Sequence, residues 1–304
     1  MNSIHLDLLL LQALDKFVKK LNLDVNVPKL QDLYGYSPEY FMEKLSIARS
    51  IAVELFRRYR LTWWDVFIES DIGKERLLIA KEINVDRRDR VLDVGCGRGY
   101  FTYALSRYSR CIVGIDLMNS GGRRGWWDHF NKALILLGIK QWVSGIRANG
   151  SKMPFNDEYF NLAAMVHSMR NFKGEEELIR TLREMKRVVR NGGYVVIVEN
   201  LPVSLDLKQY LHLKLHNIRV HVLGDELPYP DTNELLGMVN YVGFRDIEIS
   251  IIDHGLNATP AIYYTSPSNS KFNKDLFDNY IETVKIIRLY GEASTPIVII
   301  KATV

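Results

Sequence analysis

Val91-Leu92-Asp93-Val94-Gly95-Cys96-Gly97-Arg98-Gly99-Tyr100 is an apolar run carrying one acid that passes directly into three alternating glycines. The pattern predicts a strand, a tight turn and the start of a helix. Glycines at such a turn let the backbone take positive φ and let a ligand lie directly on the main chain, while the helix that follows offers unpaired N–H groups. A nucleotide-like ligand follows. The dinucleotide fingerprint needs Gly-x-Gly-x-x-Gly, with the third glycine packing helix on strand. Tyr100 occupies that position, so the spacing argues against a dinucleotide.

Downstream, strand and helix patterns alternate, which argues for a parallel sheet with helices on both faces and a ligand at the carboxyl ends of the strands. The second strand, Cys111 to Asp116, ends in Gly114-Ile115-Asp116 and puts a carboxylate at the mouth of the crevice. A third strand, about 142–147, precedes Asn149-Gly150-Ser151-Lys152-Met153-Pro154-Phe155-Asn156-Asp157. The fourth, 162–166, opens onto His167-Ser168-Met169-Arg170-Asn171-Phe172. A helix over 175–190 places Leu178, Leu182, Met185, Val188 and Val189 on one face, with Asn191-Gly192-Gly193 as a glycine cap before a fifth strand, 194–199.

The series Asp93-x-Gly95-x-Gly97-x-Gly99 resembles motif I of the class I S-adenosylmethionine-dependent methyltransferases. The Asn149–Asp157 run is similar to that superfamily's Asp-Ala-x-x-Leu-Pro-Phe-x-Asp segment, with Asn149 in place of Asp. Leu182-x-Glu184-x-x-Arg187-Val188 followed by Gly192-Gly193 is similar to its Leu-x-Glu-x-x-Arg-Val-Leu-x-Pro-Gly-Gly, with Asn191 in place of Pro. The resemblance implies a Rossmann-like seven-stranded α/β methyltransferase fold with S-adenosylmethionine as cofactor. It implies cofactor contacts from Asp93, Gly95, Cys96, Gly97 and Gly99, from Asp116 and Leu117 at the ribose, and from Asn149, Gly150 and Ser151 at the adenine. An amide oxygen on Asn149 can accept the adenine amino group's hydrogen bond without charge. Met169-Arg170-Asn171-Phe172 most resembles the Leu-Arg-Asn-Val segment of quinone-biosynthesis C-methyltransferases of the ubiquinone and menaquinone pathways. His167 and Arg170, at the strand end from which this fold presents substrate-facing groups, are the candidate base and oxyanion holder.

Ahead of this fold lie residues 1–85. Leu10, Leu14, Phe17, Val18 and Leu21 predict a helix over 3–21 with Ser3 as N-cap, and further helices are predicted over 39–60 and 71–83. Two roles stay open for this segment. It is a lid whose aromatic residues Tyr34, Tyr36, Phe41 and Trp63 face the crevice, or it packs on the sheet edge or a second subunit as a homodimer interface. Residues 86–304 form the methyltransferase domain, with helical insertions at about 203–222 and 271–290 and strands over 244–253 and 296–302 completing an antiparallel edge. In the loop 119–127, Arg123 or Arg124 is available to an anionic substrate group and Trp126 or Trp127 to a planar one. His212 and His216, at i and i+4, read as a solvated helix face, and a metal is not expected, because no third ligand accompanies them.

At 304 residues, with 47% hydrophobic content and a net charge of +4, the chain suits one doubly wound domain plus an accessory segment. The positive excess is too small and dispersed to argue for nucleic acid. Two cysteines, Cys96 and Cys111, form no disulfide framework or metal pair, and no membrane span or signal peptide stands out, so a cytoplasmic location is expected. Three functions follow: a methyltransferase for a small planar acceptor, a methyltransferase for RNA or protein, or a cofactor-binding subunit without catalysis.

Overall fold

A computed structural model describes residues 4–35, 38–118, 126–223, 227–260 and 274–304. The chain divides into two compact units: a helical one comprising 1–75, 203–224 and 255–295, and a sheet unit comprising 76–202, 225–254 and 296–304.

In the helical unit, α1 (Ile4–Lys20), α2 (Pro38–Tyr59) and α3 (Trp63–Glu69) are joined by α8 (Leu207–Leu223) and α10 (Lys274–Tyr290). Leu6, Leu9, Leu10 and Leu14 of α1 are all buried in its core, and Asp7, also buried, takes the Arg49 guanidinium at 3.0 Å. The sequence reading had no helix at 63–69. Thr62 and Asp65 form a reciprocal capping box there, and that Thr-x-x-Asp spacing was its local signal. Two further expectations are corrected. Tyr34 and Trp63 are core residues of this unit, not free aromatic side chains at a crevice mouth. His212 and His216 are buried, not solvated, because α8 turns its polar stripe inward. Ser3, Tyr36, Arg123 and Arg124 lie outside the described residues.

The sheet unit holds one seven-stranded sheet of order β3-β2-β1-β4-β5-β7-β6, built from β1 (Arg90–Val94), β2 (Cys111–Asp116), β3 (Val143–Arg147), β4 (Phe160–Val166), β5 (Val189–Asn200), β6 (Arg245–Ile252) and β7 (Ile297–Thr303). The first five run parallel, and β7 is antiparallel to both β5 and β6, as the tail pattern predicts. The central strands are apolar on both faces because helices cover both. The last four residues of β1 and the last five of β4 are all buried. α7 (Glu175–Val188) buries Leu178, Leu182, Met185 and Val188 and opens with three glutamates at its positive dipole end. Its expected glycine cap is absent. Val189 is already extended (φ −88°, ψ 133°), and Gly192, at φ +71°, serves an irregularity within β5 where the register against β4 shifts. α9 (Thr232–Val242) does carry a full set of end signals, an Asp231/Glu234 capping box and a left-handed Gly243.

Candidate functional site

The glycine turn and the residues grouped with it in the sequence come together where β1 and β2 end. The amides of Gly95 and Cys96 both donate to the Ile115 carbonyl (2.8 and 3.0 Å), which folds the glycine turn over the end of β2. Gly95 and Gly97 are glycines for different reasons. A Cβ on Gly95 would lie 2.7 Å from Cβ of Ser168, so this glycine lets the end of β4 approach the turn. A Cβ on Gly97 (φ +50°) would meet nothing nearer than 3.9 Å, so there the requirement is the left-handed backbone.

Asp116 occupies the position predicted for it. Its Oδ2 accepts the Gly97 amide at 3.0 Å and its Oδ1 the Met118 amide at 2.7 Å, so the carboxylate is oriented while each oxygen keeps a lone pair for a ligand hydroxyl. It lines a crevice of about 220 Å³ together with Gly95, Leu117, Asn149, Gly150 and Ser168, and Asn171 and Phe172 close one side. Asn149 is preorganised by an Asx turn in which its Oδ1 accepts the Ser151 amide (2.9 Å) and hydroxyl (3.0 Å). The amide oxygen therefore already holds two donors, and an adenine amino group would have to share it.

The remaining predicted cofactor residues support the crevice. Asp93 is buried at the end of β1, where it accepts the Thr102 hydroxyl; burial pushes its pKa up to about 7 against the pull of that hydrogen bond. Cys96 is buried against Gly114, and desolvation pushes its thiol up, which keeps it protonated and unreactive. The Arg187 guanidinium binds Glu184, the Asp157 carboxylate (2.6 Å) and the carbonyls of Phe155 (2.8 Å) and Met153 (3.1 Å), while Glu184 accepts the Met153 amide at 2.7 Å. The two later sequence motifs thus clasp one another and hold the Asn149 segment against α7.

The end of β4 is built differently. His167 is buried, takes φ +51° and donates its amide to the Val198 carbonyl at 2.9 Å. Its Nδ1 lies 3.8 Å from Oε2 of Glu199, whose other oxygen accepts the Met169 amide at 2.8 Å. Burial first, and then the Arg76 charge, bring His167 down to about 4 despite Glu199, so it is neutral at neutral pH. Arg76 itself is lowered to about 9 by burial and by Arg170, and remains charged. Arg170 lines a separate cavity of about 290 Å³ with Leu178, Leu227, Tyr229, Glu234 and Met238. Arg170 thus lines that cavity and Ser168 the crevice beside Asp116, while the Arg170 charge also helps to lower His167. Sequence reading missed Glu199 and Arg76. The available signal for Glu199 was its place at the carboxyl end of a parallel strand, the same signal that marked Asp116.

Among the described residues no cluster of His, Cys, Asp and Glu could hold a metal ion, and no helix is long and apolar enough to cross a membrane. The donors present fit S-adenosylmethionine: a carboxylate set for a ribose, an open glycine backbone and a polar turn at Asn149.

Residues 92–197 match the family described as Methyltransferase domain. Over 192 residues, 57% of this chain and 77% of the relative, it is 29% identical to the ubiquinone/menaquinone biosynthesis C-methyltransferase UbiE of Geobacter sp. (strain M21). It is 25% identical to the demethylmenaquinone methyltransferase of Staphylococcus saprophyticus, over 60% of this chain and 82% of that one. In fold it is similar to the cyclopropane-fatty-acyl-phospholipid synthase-like protein of Lactobacillus casei, with a TM-score of 0.59 and 18% identity over 79% of this chain and 93% of that one.

Proposed function

We propose that this S-adenosylmethionine-dependent methyltransferase acts on a small planar, quinone-like acceptor carrying an acidic hydroxyl. The observation that carries the choice of acceptor is the likeness to two quinone-pathway methyltransferases, together with Met169-Arg170-Asn171-Phe172 at the end of β4. In this reading Asp116 holds the ribose hydroxyls, the Gly95–Gly97 backbone faces the methionine end, and the Asn149–Ser151 turn borders the adenine. The cofactor, when bound, supplies a methyl group already activated on a sulfonium. The chain's own work is then alignment, exclusion of water and stabilisation of charge on the acceptor. Arg170 is the cation proposed for the developing oxyanion. His167, being neutral, is proposed to keep the β4 loop in place beside Glu199 rather than to take a proton at neutral pH.

The test is direct. The purified chain is incubated with S-adenosylmethionine and 1,4-dihydroxynaphthalene, and methylated product is sought by mass spectrometry. S-adenosylhomocysteine binding is measured separately by calorimetry. Cofactor binding with methylation of RNA or protein, but of no phenolic acceptor, would refute the acceptor class and leave the cofactor assignment standing.

A further inference from the structure

The seven-stranded sheet ends on β6, and among the described residues no strand pairs with its outer edge. Its pairing with β7 sets Ile249 opposite Ile300 and Ile251 opposite Val298. Val298 and Ile300 are buried in the core of the sheet unit, and Ile247 packs against the same core. Residues paired across two strands share a face of the sheet, so Ile249 and Ile251 carry that apolar layer outward. There it stops uncovered, with Ile249 44% and Ile251 60% exposed. An edge strand presents unpaired N–H and C=O groups, and an apolar row beside them makes it a template for a further strand.

Edges are commonly blunted by charge, by proline or by a bulge. β6 carries its irregularity near its start, where the register against β7 shifts between Arg245 and Glu248 and Asp246 takes φ +46°. From Glu248 to Ile252 the pairing with β7 is regular, and Glu248 is the only charge in that stretch. The regular stretch is complementary to itself in one antiparallel register. Centred on Ser250, it sets Ile249 of each copy opposite Ile251 of the other, with Glu248 opposite Ile252 and Ser250 opposite its twin. Cross-strand apolar pairs of this kind stabilise a sheet. A pairing centred on Glu248 would instead oppose two carboxylates, and a slip by one residue would turn the isoleucines to opposite faces. The flanks agree in charge. Arg245 and Asp246 stand at one end of the strand and Asp253 and His254 at the other, so antiparallel pairing brings Arg245 of each copy to the Asp253 end of the other, and Asp246 to its His254 end.

We propose that β6 is the docking edge for a second copy of this chain, paired antiparallel about Ser250 through Glu248–Ile252, so that the two sheets run on as one. The contact is isologous, with the same residues serving both sides, and it closes at two copies. It covers the exposed isoleucines of each copy with those of the other and gives the outward backbone groups of β6 their partners. The paired stretch is short, which puts the contact at the small end of specific interfaces and makes the dimer dependent on concentration.

The experiment is sedimentation velocity on the full chain over a rising concentration series, for the native protein, for Ile251→Lys, for Ile249→Glu and for an equimolar mixture of the two variants. The native chain should pass from monomer to dimer. Each variant alone should associate at least about tenfold more weakly, because a charge then faces an isoleucine across the strands. The mixture should regain the dimer, since the register sets position 251 of one copy against position 249 of the other and the introduced charges are opposite. A native chain that stays monomeric throughout overturns the proposal. So does a dimer that survives Ile251→Lys with unchanged affinity, which would assign the interface to another surface such as the N-terminal helices. Variants that lose the dimer and do not regain it on mixing refute the register, and the proposal with it. If either variant does not fold, hydrogen exchange of the native chain decides: the amides of Glu248–Ile252 should exchange more slowly as concentration rises, and exchange that is independent of concentration refutes the docking edge.

Discussion

Asp116 and Glu199 are both carboxylates at the carboxyl end of a parallel strand, yet they face opposite duties. Asp116 is partly exposed, takes two turn amides and keeps its outer lone pairs toward the crevice. Glu199 is fully buried, takes the Met169 amide and stands beside His167, in a charge environment shared with Arg76. Position in the topology marks both as worth attention. Burial separates them: one lines an open crevice, and the other anchors the loop that follows β4.

The sharpest way to break this comparison is to remove each carboxylate. Glu199→Ala strands the Met169 amide and removes a negative charge that favours the charged form of buried Arg76. Removing one member of a buried charged pair costs about 3–5 kcal/mol, and a urea denaturation midpoint should fall accordingly. Glu199→Gln, which keeps an oxygen for the amide, should lose less. If Glu199→Ala unfolds at the native midpoint, the carboxylate is not holding the loop.

Asp116→Ala should do the reverse. The Gly97 and Met118 amides it abandons sit at a crevice that water can enter, so stability should change little. S-adenosylhomocysteine affinity should weaken by about 1.5–3 kcal/mol, the range for hydrogen bonds to a charged group. Unchanged affinity by calorimetry would take Asp116 out of the cofactor site.

The contrast also explains what was legible in the sequence. The positions of the glycine turn and Asp116 could be read because alternating glycines and a strand-end acid are local signals. α7 could be read because its apolar stripe, from Leu178 to Val188, faces the core and its charges face water. α8 could not. Its stripe of His212, His216 and Arg219 is polar yet buried, and only partners distant in sequence, such as Glu292 and Thr259, make that burial tolerable. Glu199 was hidden for the same reason, since the groups around it, His167, Met169 and Arg76, lie on other segments of the chain. The missing glycine cap of α7 reflects a different limit. Gly192-Gly193 signals a left-handed backbone, and φ is indeed +71° at Gly192, but four residues later than the helix end.

A smaller effect tests the loop that Glu199 holds. Arg170→Ala should lower turnover about tenfold, equivalent to about 1.4 kcal/mol of barrier, with S-adenosylhomocysteine affinity within twofold. An equal loss in cofactor affinity would mean that the substitution has disturbed the Ser168 wall and not the acceptor.

The smallest expected effect in the native protein is a cancellation between two further strand-end groups. Asp93 is raised to about 7 by burial, so between the ordinary carboxylate range and pH 7 the folded chain holds a proton there that the unfolded chain has lost. By linkage, that group adds stability as pH falls through 7. His167 is lowered to about 4, so between pH 6.5 and 4 the unfolded chain binds a proton that the folded chain refuses, and this group removes stability over the same fall. Across the shared window the folded and unfolded chains hold equal numbers of protons at these two sites, and their contributions to the slope of stability against pH nearly cancel. His167→Gln should uncover Asp93, making the protein relatively more stable at pH 5 than at pH 7 when compared with the native chain. Asp93→Asn should uncover His167 and tilt the slope the other way, by up to about 1.4 kcal/mol per pH unit in each case. Urea denaturation of the three proteins at pH 5, 6 and 7 measures the slopes, and variants that tilt in the same direction would show that these two buried groups do not titrate in opposition.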